Sequence, residues 1–509
     1  MSENNQMDPS ATDNNDLSLN ELENETTIND LDEYSLIKIF NYLTFRDQIL
    51  FASLNRRFRT ILFTQFKNDK MYTLDLNYKY WSLSDLYNAF QLIGPITKSF
   101  QITKNNENLS RVYLCIDFVL EYCCNLYELR LECIQSVNKY INQMSQMLKN
   151  IVYLELKFCS LIDIDIKLLN NLKNIQHLDI SKNQKLTGKY IENFVNLQTL
   201  KVAECNQIKE KYFIAIFNNM KSLKHLDTQH CSEINHTAIF ALVDSCGEIE
   251  TLKIYVRYAT ESLKRISELK KLKELHIEEG WSCGNSVDDT RRLRNIVNDL
   301  LKMLSNQLTS LKIHFLQFDH DKGLNWARFE SIYTMKNLKE LHFVGYLSCY
   351  VIDWHTLRHF VENSNLKILN ITYSNFALGF ASNDFNNFIL SCINAKKLDE
   401  INLKYSGRFS HPEFLENFYE TLDGKGNTKP MIKMKIKVNP KVENDILNNP
   451  KYVNAKDLSN LIMKTVRSSY DDHFRYMIYE EDEEINEFES VRDESRCGEI
   501  RITLNSNII

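Results

Sequence analysis

Residues 151–163 read IVYLELKFCSLID. Apolar and polar side chains alternate through Leu154, Glu155, Leu156 and Lys157, the pattern of a half-buried strand. Cys159 and Ile162 follow at fixed offsets. The same string returns as Leu200, Val202, Cys205 and Ile208, and again as Leu226, Thr228, Cys231 and Ile234. Aligned on the middle residue of LxxLxL, copies fall at Leu129, Leu154, Leu178, Leu200, Leu226, Leu252 and Leu275, steps of 25, 24, 22, 26, 26 and 23 residues. Longer steps of 36, 30, 28 and 32 residues lead on to Leu311, Leu341, Leu369 and Ile401. MYTLDL and TKSFQI, centred on Leu74 and Phe100, begin the series.

That spacing is the leucine-rich-repeat period. No single unit buries its own inward face, so neighbours must stack into a curved α/β solenoid. Its strands form a parallel concave sheet, and helical stretches such as TAIFALVDSC (237–246) lie on the convex side. Four consecutive copies carry Cys159, Asn183, Cys205 and Cys231 at one slot, with Ile162, Leu186, Ile208 and Ile234 three residues on. An interior Asn or Cys there can bond or pack against a neighbour's loop backbone. Each of these cysteines stands on its own rung, with no histidine or second cysteine in its slot, so the reading is structural: no metal, no redox centre, no cofactor.

Later units are less regular. GWSCGNS reads as an inserted loop, followed by a helix capped by Asp288 or Asp289 and carrying Leu293, Ile296, Val297, Leu300 and Leu304. KPMIKMKIKV (429–438) reads as a last strand whose lysines blunt an exposed edge. LSNLIMKTVRSSY (458–470) reads as a capping helix, and residues 471–494, with eleven acids, as a solvated tail.

Composition narrows the function classes. Of 509 residues, 61 are basic and 67 acidic, a formal charge of −6, so no global field favours nucleic acid or an anionic membrane. No apolar run approaches the ~20 residues of a membrane helix. The first residues, MSENNQMDPSATDNND, lack the regions of a secretory signal, and the twelve cysteines include no CxxC or zinc spacing. An intracellular protein, cytoplasmic and/or nuclear, with free thiols is expected. Neither a phosphate loop nor a hydrolase motif occurs, and His225, His276 and His342 follow repeat logic rather than forming a triad. The chain is therefore read as non-catalytic.

Residues 1–27 hold seven acids and no Lys or Arg, and disorder is expected there. Residues 28–66 read as a short helical module. Leu36, Ile39, Phe40 and Leu43 share one helical face, and Asp47 is placed to cap a second helix. The order Leu31, Leu36, Ile39-Phe40, Tyr42-Leu43, Asp47 and Arg56-Arg57-Phe58 resembles an F-box, with Asp32 where that family usually has proline and Phe58 where tryptophan is common. The repeats resemble the cysteine-containing subtype found in F-box proteins with leucine-rich repeats, and the two resemblances together cover about residues 28–440.

The resemblance implies a substrate-recognition subunit of an SCF-type ubiquitin ligase. A Skp-type adaptor, and through it a cullin, would be held by Leu31, Leu36, Ile39, Phe40, Leu43, Asp47 and Phe58. A protein substrate would be held by the solenoid (67–440), with 441–470 as its cap and 471–509 as an acidic tail. Polar strand positions that point off the concave face are the substrate candidates: Glu155, Lys157, Asp179, Lys201, Asp227, Gln229, Lys253, Tyr255, His276, Glu278, Lys312, His314 and His342. The alternative is a stand-alone leucine-rich-repeat binding or inhibitory protein whose helices only cap the solenoid. Exposure of Leu36 and Phe40 would favour the adaptor, and their complete burial against the first repeats the cap.

Overall fold

The structure, a computed structural model, describes residues 27–65, 71–75, 81–103, 109–257, 260–280, 287–315, 330–345, 354–373, most of 387–409, 431–438, 461–467 and 499–504. The first 26 residues, the GWSCGNS loop after Gly280 and the acids of 471–494 lie outside them.

Three helices open the chain: α1 (Glu33–Tyr42), α2 (Phe45–Leu54) and α3 (Arg56–Gln65). Asp32 is the N-cap of α1, its carboxylate accepting the Ser35 N–H at 2.9 Å. The cap sets the helix entry where proline would otherwise fix φ. Asp47 is not a cap. Thr44 takes that position on α2, and Asp47 sits three residues in, its N–H bonding the Thr44 hydroxyl, which donates in turn to the carboxylate. The threonine precedes the first helical residue, so only it has the extended backbone a cap needs.

Behind this module runs one sheet. Its strands are β1 (Met71–Asp75), β2 (Thr97–Thr103), β3 (Glu128–Glu132), β4 (Tyr153–Lys157), β5 (His177–Asp179), β6 (Thr199–Lys201), β7 (His225–Thr228) and β8 (Thr251–Val256). β9 (Glu274–Glu279), β10 (Ser310–Phe315), β11 (Glu340–Gly345), β12 (Ile368–Tyr373), β13 (Glu400–Phe409), β14 (Met431–Val438), β15 (Leu461–Arg467) and β16 (Glu499–Leu504) follow. From β2 to β15 each strand pairs in parallel with the next. The pairing joins the central leucines directly: Leu129 to Leu154, Leu154 to Leu178, Leu200 to Leu226, Leu252 to Leu275. Helices return the chain on the other side: α4 (Leu83–Ile93), α5 (Leu109–Tyr122), α6 (Asn138–Met147), α7 (Asp163–Leu169), α8 (Glu210–Asn219), α9 (His236–Ser245), α10 (Val287–Met303) and α11 (Trp354–Asn363). The molecule is a curved leucine-rich-repeat solenoid preceded by a helical region.

Four further expectations are corrected. α10 starts at Val287, so Asp288 and Asp289 lie inside its first turn rather than at its cap. Residues 461–467 form a strand, not a capping helix, because the free edge of β14 offers backbone partners that a lone helix would forgo. β14 is therefore not the last strand. Residues 499–504, expected to be part of a mobile tail, pair antiparallel with both β1 and β2 as β16.

The cysteine slot acts as expected, with named partners. The thiols of Cys159, Cys205 and Cys231 donate across to the Leu131, Ile180 and Val202 carbonyls of the preceding repeats, at 3.3, 3.2 and 3.2 Å. Asn183 does more: Nδ2 donates to Leu156 O and Ile180 O at 2.8 Å, and Oδ1 accepts the Cys159 and Leu161 N–H groups at 3.0 Å. Just before the slot stand Cys133, Phe158, Lys182, Glu204 and His230, all in left-handed conformation with φ of 59, 54, 62, 60 and 57°. That kink turns the chain off the strand. A second ladder, unforeseen in the sequence, lies four residues before the central leucine. There the amides of Asn125, Asn174, Asn337 and Asn365 donate to Pro95, Lys149, Asn306 and Lys336 carbonyls at 2.8, 2.9, 2.7 and 2.7 Å.

Burial pushes the thiols of Cys159 and Cys205 up to about 12, and that of Cys231 well above the usual range. Thiolates are the reactive form, so these groups should be inert while folded. Brief iodoacetamide treatment of the native chain, read by peptide mass spectrometry, is expected to modify exposed Cys124 and spare all three. Early modification of Cys159 or Cys205 would contradict the ladder.

Candidate functional site

The alternation of each strand sends Leu154 and Leu156 into the core and Tyr153, Glu155 and Lys157 onto the concave face. Register then sets equivalent residues side by side. The row after the central leucine runs Arg130, Glu155, Asp179, Lys201, Asp227, Lys253, His276, Lys312, His342.

In its first half the row neutralises itself. Arg130 lies 3.8 Å from Glu155, Lys201 3.6 Å from Asp179, and Lys253 3.4 Å from Asp227. Lys157 pairs with Glu132 at 2.7 Å one row over. The Arg130 guanidinium also lies 4.3 Å above the Tyr153 ring, which stacks on His177. Burial pushes the carboxyls of Glu155 and Asp227 up, nearby Asp179 adding to the first and Lys253 opposing the second.

Further along, the face closes into a buried polar cluster. Glu278 is 0% exposed, with His230 Nδ1 at 3.1 Å and His314 Nδ1 at 3.4 Å from the same oxygen. Burial holds His276 well below the usual imidazole range, and Lys312 and Lys253 reinforce it. Glu279 meets Arg294 of α10 at 3.2 Å, with burial pushing its carboxyl up. Glycine follows β9 at position 280, where a Cβ would lie 2.8 Å from the Tyr255 ring and 2.9 Å from Arg257 Cα.

The thirteen concave candidates thus divide. Asp179, Asp227, Gln229, His276, Glu278 and His314 are buried. Glu155, Lys157, Lys201, Lys253, Tyr255, Lys312 and His342 remain half-buried. His230 and Arg294 join the cluster unforeseen. The only signal for His230 was its place one residue before Cys231, and Arg294 was read merely as part of a helix.

The module divides similarly. Leu36, Phe40 and Phe58 are buried, with the Phe51 ring 5.0 Å from Phe40 and stacked 4.2 Å from Phe58. They form the module's core. Leu31, Ile39, Leu43 and Asp47 are half-buried, whereas Ile28, Tyr34, Tyr42 and Leu54 are exposed, Tyr42 at 91% and Leu54 at 69%. α2 seats the module on the first helix of the solenoid. Arg46 donates to the Asp85 carboxylate at 2.8 and 3.1 Å, and Phe45 packs 6.3 Å from Trp81. Asp85 loses solvation, but its bonds from Ser82 and Arg46 prevail and hold its carboxyl below the usual range.

Among the described residues no cluster of His, Cys, Asp or Glu is arranged to hold a metal, and no helix is long and apolar enough to cross a membrane.

No family model and no curated protein matches the chain. Solved structures do. An internalin (inlF) of Listeria monocytogenes str. 4b F2365 is 13% identical with a TM-score of 0.32, over 69% of this chain and 83% of that one. A TLR13–ssRNA13 complex is 12% identical with a TM-score of 0.31, over 74% and 63%. Internalin C2 (inlC2) of the same Listeria strain is 16% identical with a TM-score of 0.25, over 46% and 84%. At these scores the likenesses add nothing to what the chain's own register establishes: it has the leucine-rich-repeat fold.

Proposed function

We propose that the chain is the substrate-recognition subunit of an SCF-type E3 ubiquitin ligase, acting in the cytoplasm and/or nucleus. The helical module binds a Skp-type adaptor, and through it a cullin, while the solenoid binds a protein substrate. Chemistry then comes from proximity to a ubiquitin-charged enzyme, and this chain supplies no catalytic group. The observation that carries the reading is the module itself. Three capped helices in F-box order enclose an aromatic core, leave Tyr42 and Leu54 outside, and are seated on the repeats by the Arg46–Asp85 pair.

The test is binding of the purified chain to a Skp-type adaptor by calorimetry. Tyr42→Asp/Leu54→Asp changes only exposed positions, and a loss of at least about tenfold, ~1.4 kcal/mol, is expected with the circular dichroism unchanged. The seating of α2 on α4 through Arg46 and Asp85 favours a second reading, in which the module is only a cap on a leucine-rich-repeat binding scaffold. No adaptor binding by the intact, folded chain would leave that reading standing.

A further inference from the structure

The strand-start rim of the solenoid carries a run of charges that the concave face does not use. Two and four residues before each central leucine, exposed and half-buried side chains line this rim along the asparagine ladder. At β8 and β9 the rim pairs off across repeats: Lys273 meets Glu250 at 2.7 Å, and Lys271 meets Glu248 at 2.5 Å. At β10, β11 and β12 no acid occupies these positions, and one, Asp399, returns at β13. Lys339 and Lys367 occupy adjacent repeats, are exposed, and make no ion pair among the described residues. Lys397, one repeat on, donates to an amide oxygen, that of Asn365. With Asn337, Asn365 and Asp399 they line an open groove of about 590 Å³.

Neighbouring strands lie ~4.8 Å apart, so the Lys339 and Lys367 ammonium groups on adjacent repeats repel one another, and the single carboxylate of Asp399 offsets only part of the groove's three positive charges. A partner that brings carboxylates removes that repulsion. We infer that this groove is where the solenoid takes an acidic segment of a partner polypeptide. Alternate side chains of an extended peptide recur at ~6.8 Å, which flexible lysine stems on successive repeats can follow.

Nucleic acid fits less well. The groove includes Asp399, and no aromatic ring lines it on which a base would stack. The half of the concave face between β3 and β8 is a poorer place for such a segment, because its lysines and Arg130 are already paired with carboxylates. The inference rests on the reading of the solenoid as a protein-binding scaffold and deepens it by giving the substrate's chemistry.

Fluorescence anisotropy of a labelled Glu-Ser repeat peptide of about twelve residues, titrated with the full chain, tests it. Saturable binding is expected, weakening as salt rises from about 0.05 to 0.3 M. Lys339→Glu/Lys367→Glu is expected to weaken it at least about tenfold, with Lys339→Gln/Lys367→Gln intermediate. A Gln-Ser peptide should not bind. Unchanged affinity in the glutamate variant would overturn the inference, as would equal or tighter binding of a single-stranded RNA of the same length. Binding that appears only after Glu480, Glu481, Asp482, Glu483 and Glu484 are replaced by neutral residues would overturn it too, in favour of this chain's own acidic stretch. No adaptor is present in the assay, so failure here and failure of the ligase reading are separate results.

Discussion

Asn183→Ala is expected to destabilise the solenoid by about 3–5 kcal/mol, although it removes only a small polar side chain. Asn183 is 1% exposed, and its carboxamide completes four backbone groups that have no access to water. Alanine strands the Cys159 and Leu161 N–H groups, and each buried donor left unmade costs ~1–3 kcal/mol. The Leu156 and Ile180 carbonyls lose a donor as well. Asn183→Cys should cost less, about 1–3 kcal/mol, because a thiol there can still reach a neighbour's carbonyl as Cys205 reaches Ile180. Stacked repeats unfold partly as independent neighbours, so the loss should be local to β4–β6. Urea titration gives the total, and the alkylation rate of Cys159 reports local opening. A cost for Asn183→Ala below about 1 kcal/mol would mean that the slot is packing alone and that its hydrogen bonds contribute little.

The same slot shows why some of the chain was legible and some was not. A repeat fold writes its register into the sequence, because every copy must present Leu, one polar residue, then Leu to the same neighbour. Leu129 through Ile401 could therefore be paired by eye, and the structure pairs them in that order. Ends obey weaker rules. LIMKTVR has apolar residues at both helical and strand offsets, and only the open edge of β14 decides for a strand. Residues 499–504 pair with β1 and β2 across almost the whole length of the chain, a partnership no local pattern announces. On the concave face, alternation correctly gave which side chains leave the core. It said nothing of which would find partners there, so His276 and Glu278 were read as contacts although both are buried. The lysines of the rim escaped for the converse reason. Lys339 and Lys273 occupy equivalent positions, and only the Glu250 carboxylate beside one of them makes their environments different.

Phe40→Asp is expected to unfold the helical module while leaving the repeats intact, and the size of the effect separates core from contact in the F-box-like segment. Truncating a fully buried phenylalanine costs ~3–5 kcal/mol by itself. Placing a carboxylate beside the Phe51 ring adds the penalty of an unpaired buried charge, unless the aspartate takes up a proton. A unit of three ten-residue helices has too little core to absorb that loss. The solenoid should survive, since Leu86, Phe90 and the residues beyond them keep their own neighbours. Limited proteolysis is the measurement: the cleavage gained over the parent chain is expected to be confined to residues 28–65, with the remaining fragment still cooperative in urea. Such a variant would also lose adaptor binding, but only because no module remains to bind it. The exposed pair Tyr42→Asp/Leu54→Asp, resistant to protease and still failing to bind, is what would assign a surface. Were Phe40→Asp instead as protease-resistant as the parent chain, the aromatic core joining α1, α2 and α3 would be wrong, and with it the reason for setting Leu36 and Phe40 aside as contacts.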